Sequence, residues 1–137
     1  MPPTSRKTLV DAALQASARA VAPYSHFHVG AALLTRTGHI ILGANVESAS
    51  YGLTCCAERV ALFKALTEGH RDFTAIAIVA PATGGPMPCG ACRQLLAEYA
   101  PRAKVWVADS RPPHRMRGFT VRRLLPQAFV SVPAKTG

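Results

Sequence analysis

The sequence predicts an α/β fold in which helices cover the faces of a mixed β-sheet. Three observations lead to this prediction: helical and strand patterns alternate along the chain, a tight turn joins the first two strands, and helices separate the later ones. A turn makes strands antiparallel, whereas helical crossovers favour parallel pairs, so the sheet should be mixed. The chain has 137 residues, 49% of them hydrophobic, and we expect one domain over 1–137, frayed after Val132.

Each element is predicted from a local pattern. A first helix begins after Ser5, which can cap it, and ends before Pro23. Two aliphatic runs, 29–35 and 40–46, flank the sequence RTGH, which is typical of a hairpin turn. The later elements are a helix from about 56 to 69, a strand at 73–80, a helix at 91–99, a strand at 104–108 and a helix at 121–125 capped by Thr120. The residue patterns thus predict four strands.

The chain is strongly basic. It has 16 Lys and Arg against 7 Asp and Glu, a net charge of +9, which is typical of proteins that bind nucleic acids or other phosphates. The segment 111–123 favours a solvated, proline-containing loop, and its five arginines are Arg111, Arg115, Arg117, Arg122 and Arg123. We find no pattern typical of a signal peptide or a membrane span, and we expect a soluble, cytoplasmic protein.

Three of the four cysteines stand where predicted helices begin. Cys56 opens one helix, and Cys89 and Cys92 form a C-x-x-C pair at the start of the next. Helix N-termini stabilise thiolates, which are the form of cysteine that binds zinc. Three ligands would leave a tetrahedral zinc ion one position for water. Glu58, two residues after Cys56, would lie near the metal without being needed as a ligand. A C-x-x-C pair alone also fits a redox pair, half of a zinc ribbon, or small buried residues.

Longer motifs surround these cysteines. They are APYSHFHVGAA at 22–32, NVESASYGLT at 45–54, CAER at 56–59, PCGACRQ at 88–94 and LLPQAF at 124–129. Through them the chain resembles the homotetrameric cytidine deaminase family over nearly its whole length. Blasticidin S deaminase shares the zinc motifs and is a close relative, but the 45–54 segment is more similar to the cytidine enzymes.

The resemblance implies a three-layer α/β/α fold with a five-stranded mixed sheet. It also implies hydrolytic deamination of cytidine and 2′-deoxycytidine to the uridine nucleosides and ammonia, with one zinc ion per chain. Cys56, Cys89 and Cys92 would bind the zinc ion, with the attacking water as fourth ligand. Glu58 would be the catalytic proton shuttle between this water, N3 of the base and the leaving amine.

The resemblance also implies residues that surround the metal ligands and residues that bind substrate. Arg59 would offset the excess negative charge of three thiolates on one zinc ion. Gln94 is a weaker candidate for a residue that lies next to the metal ligands and supports them. Asn45 and Glu47 would bind the ribose hydroxyls. The base pocket would be formed by Phe27, by the N–H of Ala57, and by residues reaching across subunit interfaces of a tetramer, namely Ala49, Tyr51 and Phe129.

Competing functions remain open on the sequence alone. The charge favours a deaminase that acts on nucleic acid. The zinc motifs also fit a deaminase of blasticidin S, and the cysteines also fit a structural zinc module or a redox enzyme. A structural zinc site normally has four protein ligands, and the fourth cysteine, Cys55, adjoins Cys56 and is poorly placed to reach the same ion. We therefore favour a small-molecule nucleoside substrate, with no specific nucleic acid and no membrane partner.

Overall fold

Helices and strands alternate along the chain as predicted. The computed structural model describes residues 4–130. Its elements are α1 (Arg6–Ser17), β1 (Gly30–Thr35), β2 (Ile40–Ala44), α2 (Ala57–Thr67), β3 (Phe73–Ala80), α3 (Gly90–Tyr99), β4 (Lys104–Asp109), β5 (Met116–Thr120) and α4 (Val121–Leu124), with a short 3₁₀ turn at Tyr51–Leu53. Within this part of the chain, no helix has the length and apolar character needed to cross a membrane.

The strands form one mixed sheet in the order β2-β1-β3-β4-β5. Strand β1 pairs antiparallel with both β2 and β3, β3 pairs parallel with β4, and β4 pairs antiparallel with β5. The β1–β2 turn lies at 36–39, where Gly38 has a φ of 96°, a conformation that glycine adopts without a steric penalty. The predicted mixed sheet with an initial hairpin is therefore confirmed.

Two apolar layers, one on each face of the sheet, complete a three-layer α/β/α arrangement. On one face, Ile76 and Ile78 of β3 belong to a core that includes residues of α2 and α3. On the other face, Ala77 and Val79 of β3 pack with α1. Neighbouring positions of β3 point to opposite faces, and both faces are buried from 75 to 80, which explains why these six residues are all apolar.

Close packing fixes α2 against the sheet. Gly43 of β2 lies so near to α2 that a Cβ there would fall 2.4 Å from the Ala57 carbonyl oxygen and 2.5 Å from the Ala61 nitrogen. A side chain at this position would push the helix away. Because the first turn of α2 follows Cys56 and carries Glu58, this contact also positions the candidate site.

The arginine-rich segment differs from its prediction. Residues 116–120 form the edge strand β5, not a solvated loop, so the sheet has the five strands implied by the family resemblance. Gly118 of β5 lies opposite Trp106 of β4, and a Cβ at Gly118 would fall 2.3 Å from the indole ring. Glycine is uncommon within strands, which obscured the pattern. The prediction of fraying after Val132 falls outside the described residues.

Candidate metal centre

Three cysteine sulfurs meet where α2 and α3 begin. Cys56 occupies the N-cap position of α2 and Cys89 that of α3, and Cys92 is the third residue of α3. The sulfurs of Cys56 and Cys89 are 3.9 Å apart, and those of Cys89 and Cys92 are 3.5 Å apart. All three lie within 4.8 Å of one another. The structure thus brings together the three residues predicted as ligands.

This donor set fits a zinc ion. Four ligands at about 2.3 Å in a tetrahedron lie about 3.8 Å from one another, close to the two sulfur distances observed. Neither Cys56 nor Cys89 uses its side chain to cap its helix by a hydrogen bond, so both sulfurs are available to a metal. Cys55 does not belong to the cluster; its backbone pairs with Val46 instead.

Hydrogen bonds and burial distribute charge unequally among the sulfurs. Hydrogen bonding with Cys92 and with Arg59 lowers the pKa of the Cys56 thiol to about 5. Hydrogen bonding to Cys56 and burial raise the pKa of the Cys92 thiol. Cys56 therefore loses its proton more readily than Cys92, and a metal ion would have to displace the protons that remain on the thiols.

Arg59 contacts this site directly. Its Nη2 donates to the Cys56 sulfur at 3.5 Å and to the Thr54 carbonyl at 3.2 Å. Among the described residues, its Nε is buried and has no hydrogen-bond partner. The guanidinium thus places one positive charge beside the cysteine cluster, where it can offset the negative charge of the thiolates.

Arg59→Gln is expected to weaken zinc retention in acid. Without the guanidinium, the pKa of Cys56 rises, so protons compete with zinc at a higher pH. The midpoint pH for zinc loss should therefore move upward, by roughly one unit for one partly exposed charge-assisted hydrogen bond. Turnover near neutrality should fall as well.

Zinc content after equilibration at a series of pH values measures this shift. Lys64→Gln is the matched control, because Lys64 is in the last turn of the same helix and its ammonium group contacts the Leu42 carbonyl. An Arg59→Gln profile that superimposes on that of Lys64→Gln would show that Arg59 does not support the thiolates.

Glu58 is the buried carboxyl group beside the cluster. It is the second residue of α2 and only 5% exposed, and burial raises its pKa to about 7. A carboxyl group with a pKa near the working pH can both accept and donate a proton. A carboxyl group that merely lay in solvent at the start of a helix would be exposed, whereas Glu58 is buried.

Asn45 connects the end of β2 to the start of β1. Its Oδ1 accepts from the Val29 N–H at 2.9 Å, and its Nδ2 donates to the Phe27 carbonyl at 2.9 Å. Asn45 is buried, whereas Phe27 is 39% exposed. The amide group therefore fixes the backbone that presents Phe27, and it retains one N–H and one lone pair for a ligand.

Glu47 is held in its ionised form by a neighbouring loop. Its Oε1 accepts from the N–H groups of Tyr24 and Ser25 at 3.1 and 3.0 Å, and its Oε2 accepts from the Ser25 hydroxyl. These bonds, chiefly that from the Ser25 hydroxyl, lower the pKa of Glu47. The Ser25 oxygen also accepts from the Phe27 N–H at 3.0 Å. Ser25, to which sequence reasoning gave no role, thus links Glu47 to Phe27.

Glu47 and Tyr51 line one cavity of about 250 Å³, which is also lined by Tyr24, Ser25, Ser48 and Thr54. A larger cavity of about 570 Å³ lies between α3 and the segment after α4, and no candidate site residue lines it. The smaller cavity thus contains two predicted substrate-binding residues, Glu47 and Tyr51, whereas the larger one contains none.

Of the remaining predicted residues, three are exposed, one begins α2 and one lies within α3. Tyr51 is 81% exposed and Phe129 is 65% exposed, Ala49 is exposed, and Ala57 is buried as the first residue of α2. Gln94 donates to the Phe129 carbonyl and so contacts the C-terminal segment. Within one chain, the structure therefore does not bring Phe129 or Gln94 into hydrogen-bond contact with a cysteine sulfur.

A residue directly after Cys92 was missed by sequence reasoning. Arg93 donates from Nε to the Pro88 carbonyl at 2.7 Å and from Nη1 to the Leu124 carbonyl at 3.1 Å. It thereby ties the residue before Cys89 to the end of α4. The only sequence signal was its place in the PCGACRQ motif, which says nothing about these partners.

Fold and cysteine geometry together describe a three-layer α/β/α protein with a three-sulfur site suited to one zinc ion. The sequence model of the cytidine and deoxycytidylate deaminase zinc-binding region matches residues 3–108. The chain belongs to the cytidine and deoxycytidylate deaminase family.

Two cytidine deaminases match almost the whole chain. A cytidine deaminase of Halalkalibacterium halodurans is 51% identical over 127 residues, which are 92% of this chain and 95% of the relative. The crystal structure of cytidine deaminase from Burkholderia pseudomallei is similar with a TM-score of 0.88 and 46% identity, covering 92% of this chain and 100% of that one. Blasticidin-S deaminase of Bacillus cereus is 38% identical over 82 residues, 54% of this chain and 59% of the relative.

Proposed function

We propose that this protein hydrolyses cytidine and 2′-deoxycytidine to uridine and 2′-deoxyuridine, with release of ammonia. The observation that carries the proposal is a three-sulfur site beside the buried carboxyl group of Glu58. Three protein ligands leave a tetrahedral zinc ion one position for water. Zinc held by Cys56, Cys89 and Cys92 would supply a Lewis acid that lowers the pKa of water. The long matches to cytidine deaminases support this substrate over blasticidin S, whose deaminase matches about half of the chain.

Glu58 moves the protons of the reaction. It accepts one proton from the attacking water and delivers it to N3 of the base as the water oxygen adds to C4. It then accepts a second proton from the new C4 hydroxyl group and delivers it to the amine, whose bond to C4 breaks as the C4 carbonyl forms. One carboxyl group can serve all three positions because they lie on one side of the ring. Its burial and its pKa of about 7 support this role, since both protonation states are populated near neutrality.

Nucleoside binding combines the loop before β1 with the segment after β2. Glu47 and Asn45 bind the ribose hydroxyls, Phe27 packs against the base, and the Ala57 N–H donates to the pyrimidine O2. The exposure of Phe27 and the ionised state of Glu47 support these assignments. A 2′-deoxyribose retains the 3′-hydroxyl, so both nucleosides are substrates.

Neighbouring subunits complete the site in a homotetramer. Ala49, Tyr51 and Phe129 reach across interfaces into the pocket of another chain. Their exposure supports this arrangement, because large aromatic side chains exposed at 81% and 65% are characteristic of interaction sites. We further propose a role in pyrimidine salvage and a cytoplasmic location.

Competing functions differ in their requirements. A structural zinc module needs four protein ligands, and among the described residues the cluster has three. A C-x-x-C redox enzyme needs no buried carboxyl group beside a third cysteine.

The remaining candidate substrates can be separated by measuring turnover through ultraviolet absorbance. The compounds to compare are cytidine, deoxycytidine, blasticidin S, cytosine and a short oligonucleotide. Rapid turnover of the two nucleosides is expected, and oligonucleotide turnover at the same rate would contradict the proposal.

Deoxycytidine 3′-phosphate is expected to react more slowly than deoxycytidine, by roughly tenfold or more. The ionised Glu47 carboxylate accepts a hydrogen bond from a free 3′-hydroxyl but repels a phosphate at the same place. Glu47→Gln should reduce the difference between the two substrates, because the amide keeps the size of the side chain without its charge.

The ratio of kcat/KM values for the two substrates, in wild type and in Glu47→Gln, measures this discrimination. Glu98→Gln is a control on the exposed surface of α3. Equal kcat/KM values for the nucleoside and its 3′-phosphate in the wild type would argue for a nucleic-acid substrate instead.

A further inference from the structure

We propose that Arg117, assisted by Arg111, is a positioning residue for the loop 81–88, which leads from β3 to Cys89. The inference relies on the proposed function only for the identity of the metal. It assigns a role inside the molecule to part of the arginine-rich stretch that the family resemblance leaves unexplained.

The loop has few hydrogen bonds of its own. Three of its eight residues are prolines, which have no N–H to donate, and Gly84 and Gly85 have positive φ values of 77° and 86°. Its short-range backbone bonds run from the Ala82 N–H to Ala80 and from the Gly85 N–H to Ala82. Ordering such a segment costs conformational entropy, so contacts from outside the loop are needed to hold one conformation.

Arg117 of β5 provides contacts at two points of the loop. Its Nε donates to the Gly84 carbonyl at 2.7 Å, and its Nη2 lies 3.7 Å from the Met87 sulfur. Its guanidinium carbon is 5.4 Å from the centre of the Phe119 ring, a cation–π contact that restricts the side chain further. A planar guanidinium can span two such points, whereas a lysine ammonium cannot.

Arg111 and the backbone of β4 hold the other part of the loop. Arg111 forms a two-point ion pair with Asp109, at 2.9 Å for each oxygen, and its Nη2 is 3.4 Å from the Thr83 hydroxyl. Gly85 lies against β4 so closely that a Cβ there would fall 2.7 Å from the Ala108 nitrogen. The loop is therefore fixed between β4 and two guanidinium groups.

Cys89 is the ligand whose position depends most on this loop. Cys92 is buried within α3, whereas Cys89 is exposed and lies two residues after Met87. If the loop loosens, Cys89 is expected to leave the metal most often, and zinc should escape faster. Within residues 4–130, the exposed Arg115 of the same stretch makes no side-chain hydrogen bond or ion pair, which makes it a matched control.

The test compares Arg117→Met, Arg117→Lys and Arg115→Met with the wild type. Zinc transfer to a chromogenic chelator is timed well below the melting temperature of each variant, and kcat and KM for cytidine are measured alongside. Arg117→Met should release zinc roughly tenfold faster than the wild type, the lower end of the effect of residues that support metal ligands. Arg117→Lys should also release it faster, and Arg115→Met should match the wild type.

Amide hydrogen exchange across 81–88 gives a second readout that does not need the metal. Exchange should rise in Arg117→Met and stay unchanged in Arg115→Met. The proposal would be overturned if Arg117→Met released zinc and exchanged amide hydrogens at wild-type rates. It would also be overturned if Arg117→Lys released zinc at the wild-type rate, or if Arg115→Met had the same effect as Arg117→Met. Oligonucleotide affinity that falls equally in both methionine variants, with zinc release unchanged, would assign the stretch to polyanion binding instead. A wild type that holds zinc but does not deaminate cytidine would contradict the proposed function and leave this comparison intact.

Discussion

Glu58→Gln is expected to lower kcat for cytidine by roughly a thousandfold or more, with zinc content and fold retained. General acid–base catalysis by one group typically contributes about 10²–10⁴-fold, and Glu58 serves several proton transfers in one turnover. Glutamine has nearly the same size and can still form hydrogen bonds in the buried position, but it cannot carry a proton between the attacking water, N3 and the leaving amine.

Steady-state kinetics, zinc analysis and thermal melting on the same preparation test this prediction. Glu68→Gln is the matched control, because Glu68 follows the last turn of the same helix and is exposed. The control should keep wild-type turnover. Near-normal turnover by zinc-loaded Glu58→Gln would refute the assigned role, whereas loss of zinc from this variant would mean that Glu58 supports the metal site itself.

Cys92→Ala is expected to lose stoichiometric zinc, activity and part of the stability of the fold. Cys92 is 1% exposed, and its sulfur lies 3.5 Å from that of Cys89. Two remaining sulfurs should bind zinc much more weakly than three. A metal that binds only the folded state contributes about 4 kcal/mol to the free energy of unfolding when its free concentration is about a thousand times Kd, and this contribution disappears with the site.

The adjacent thiol gives the control for this variant. Cys55→Ala removes a cysteine next to a ligand but outside the three-sulfur cluster, so zinc content should stay at one per chain. Chelator treatment should lower the melting temperature of the wild type and of Cys55→Ala, but not that of Cys92→Ala. Full zinc content in Cys92→Ala, or zinc loss in Cys55→Ala, would show that the ligand set is different.

Local patterns were sufficient to predict most of the fold. Serine and threonine caps predicted the starts of α1 and α4, where Ser5 accepts from the Thr8 N–H and Thr120 from the Arg123 N–H. The apolar residues of 73–80 predicted strand β3, and the structure adds that both of its faces are buried. Strand β5 was missed because its edge position needs no apolar pattern, and because Gly118 and the arginines resemble a loop.

The candidate site was predictable only where spacing or motif carried the information. The C-x-x-C pair and the helix starts indicated the sulfur cluster, and the family motifs indicated Glu58 and Arg59. The contacts of Asn45 with Val29 and Phe27, and of Arg117 with Gly84, join residues 16 to 33 positions apart. Such contacts depend on how strands and loops meet in space, and no local pattern encodes them.

Cytidine turnover by metal-free protein, before and after zinc is added back, shows whether deamination depends on a zinc ion bound by this chain. Zinc is removed from the protein with a chelator at low pH, where protons displace the metal from the thiolates. The protein is then returned to neutral pH, and the fall in absorbance as cytidine becomes uridine is followed. We predict no turnover without metal and full recovery at one zinc ion per chain. Undiminished turnover by protein shown to contain no metal, or no turnover by folded, zinc-loaded protein, would contradict zinc-dependent deamination of cytidine by this protein.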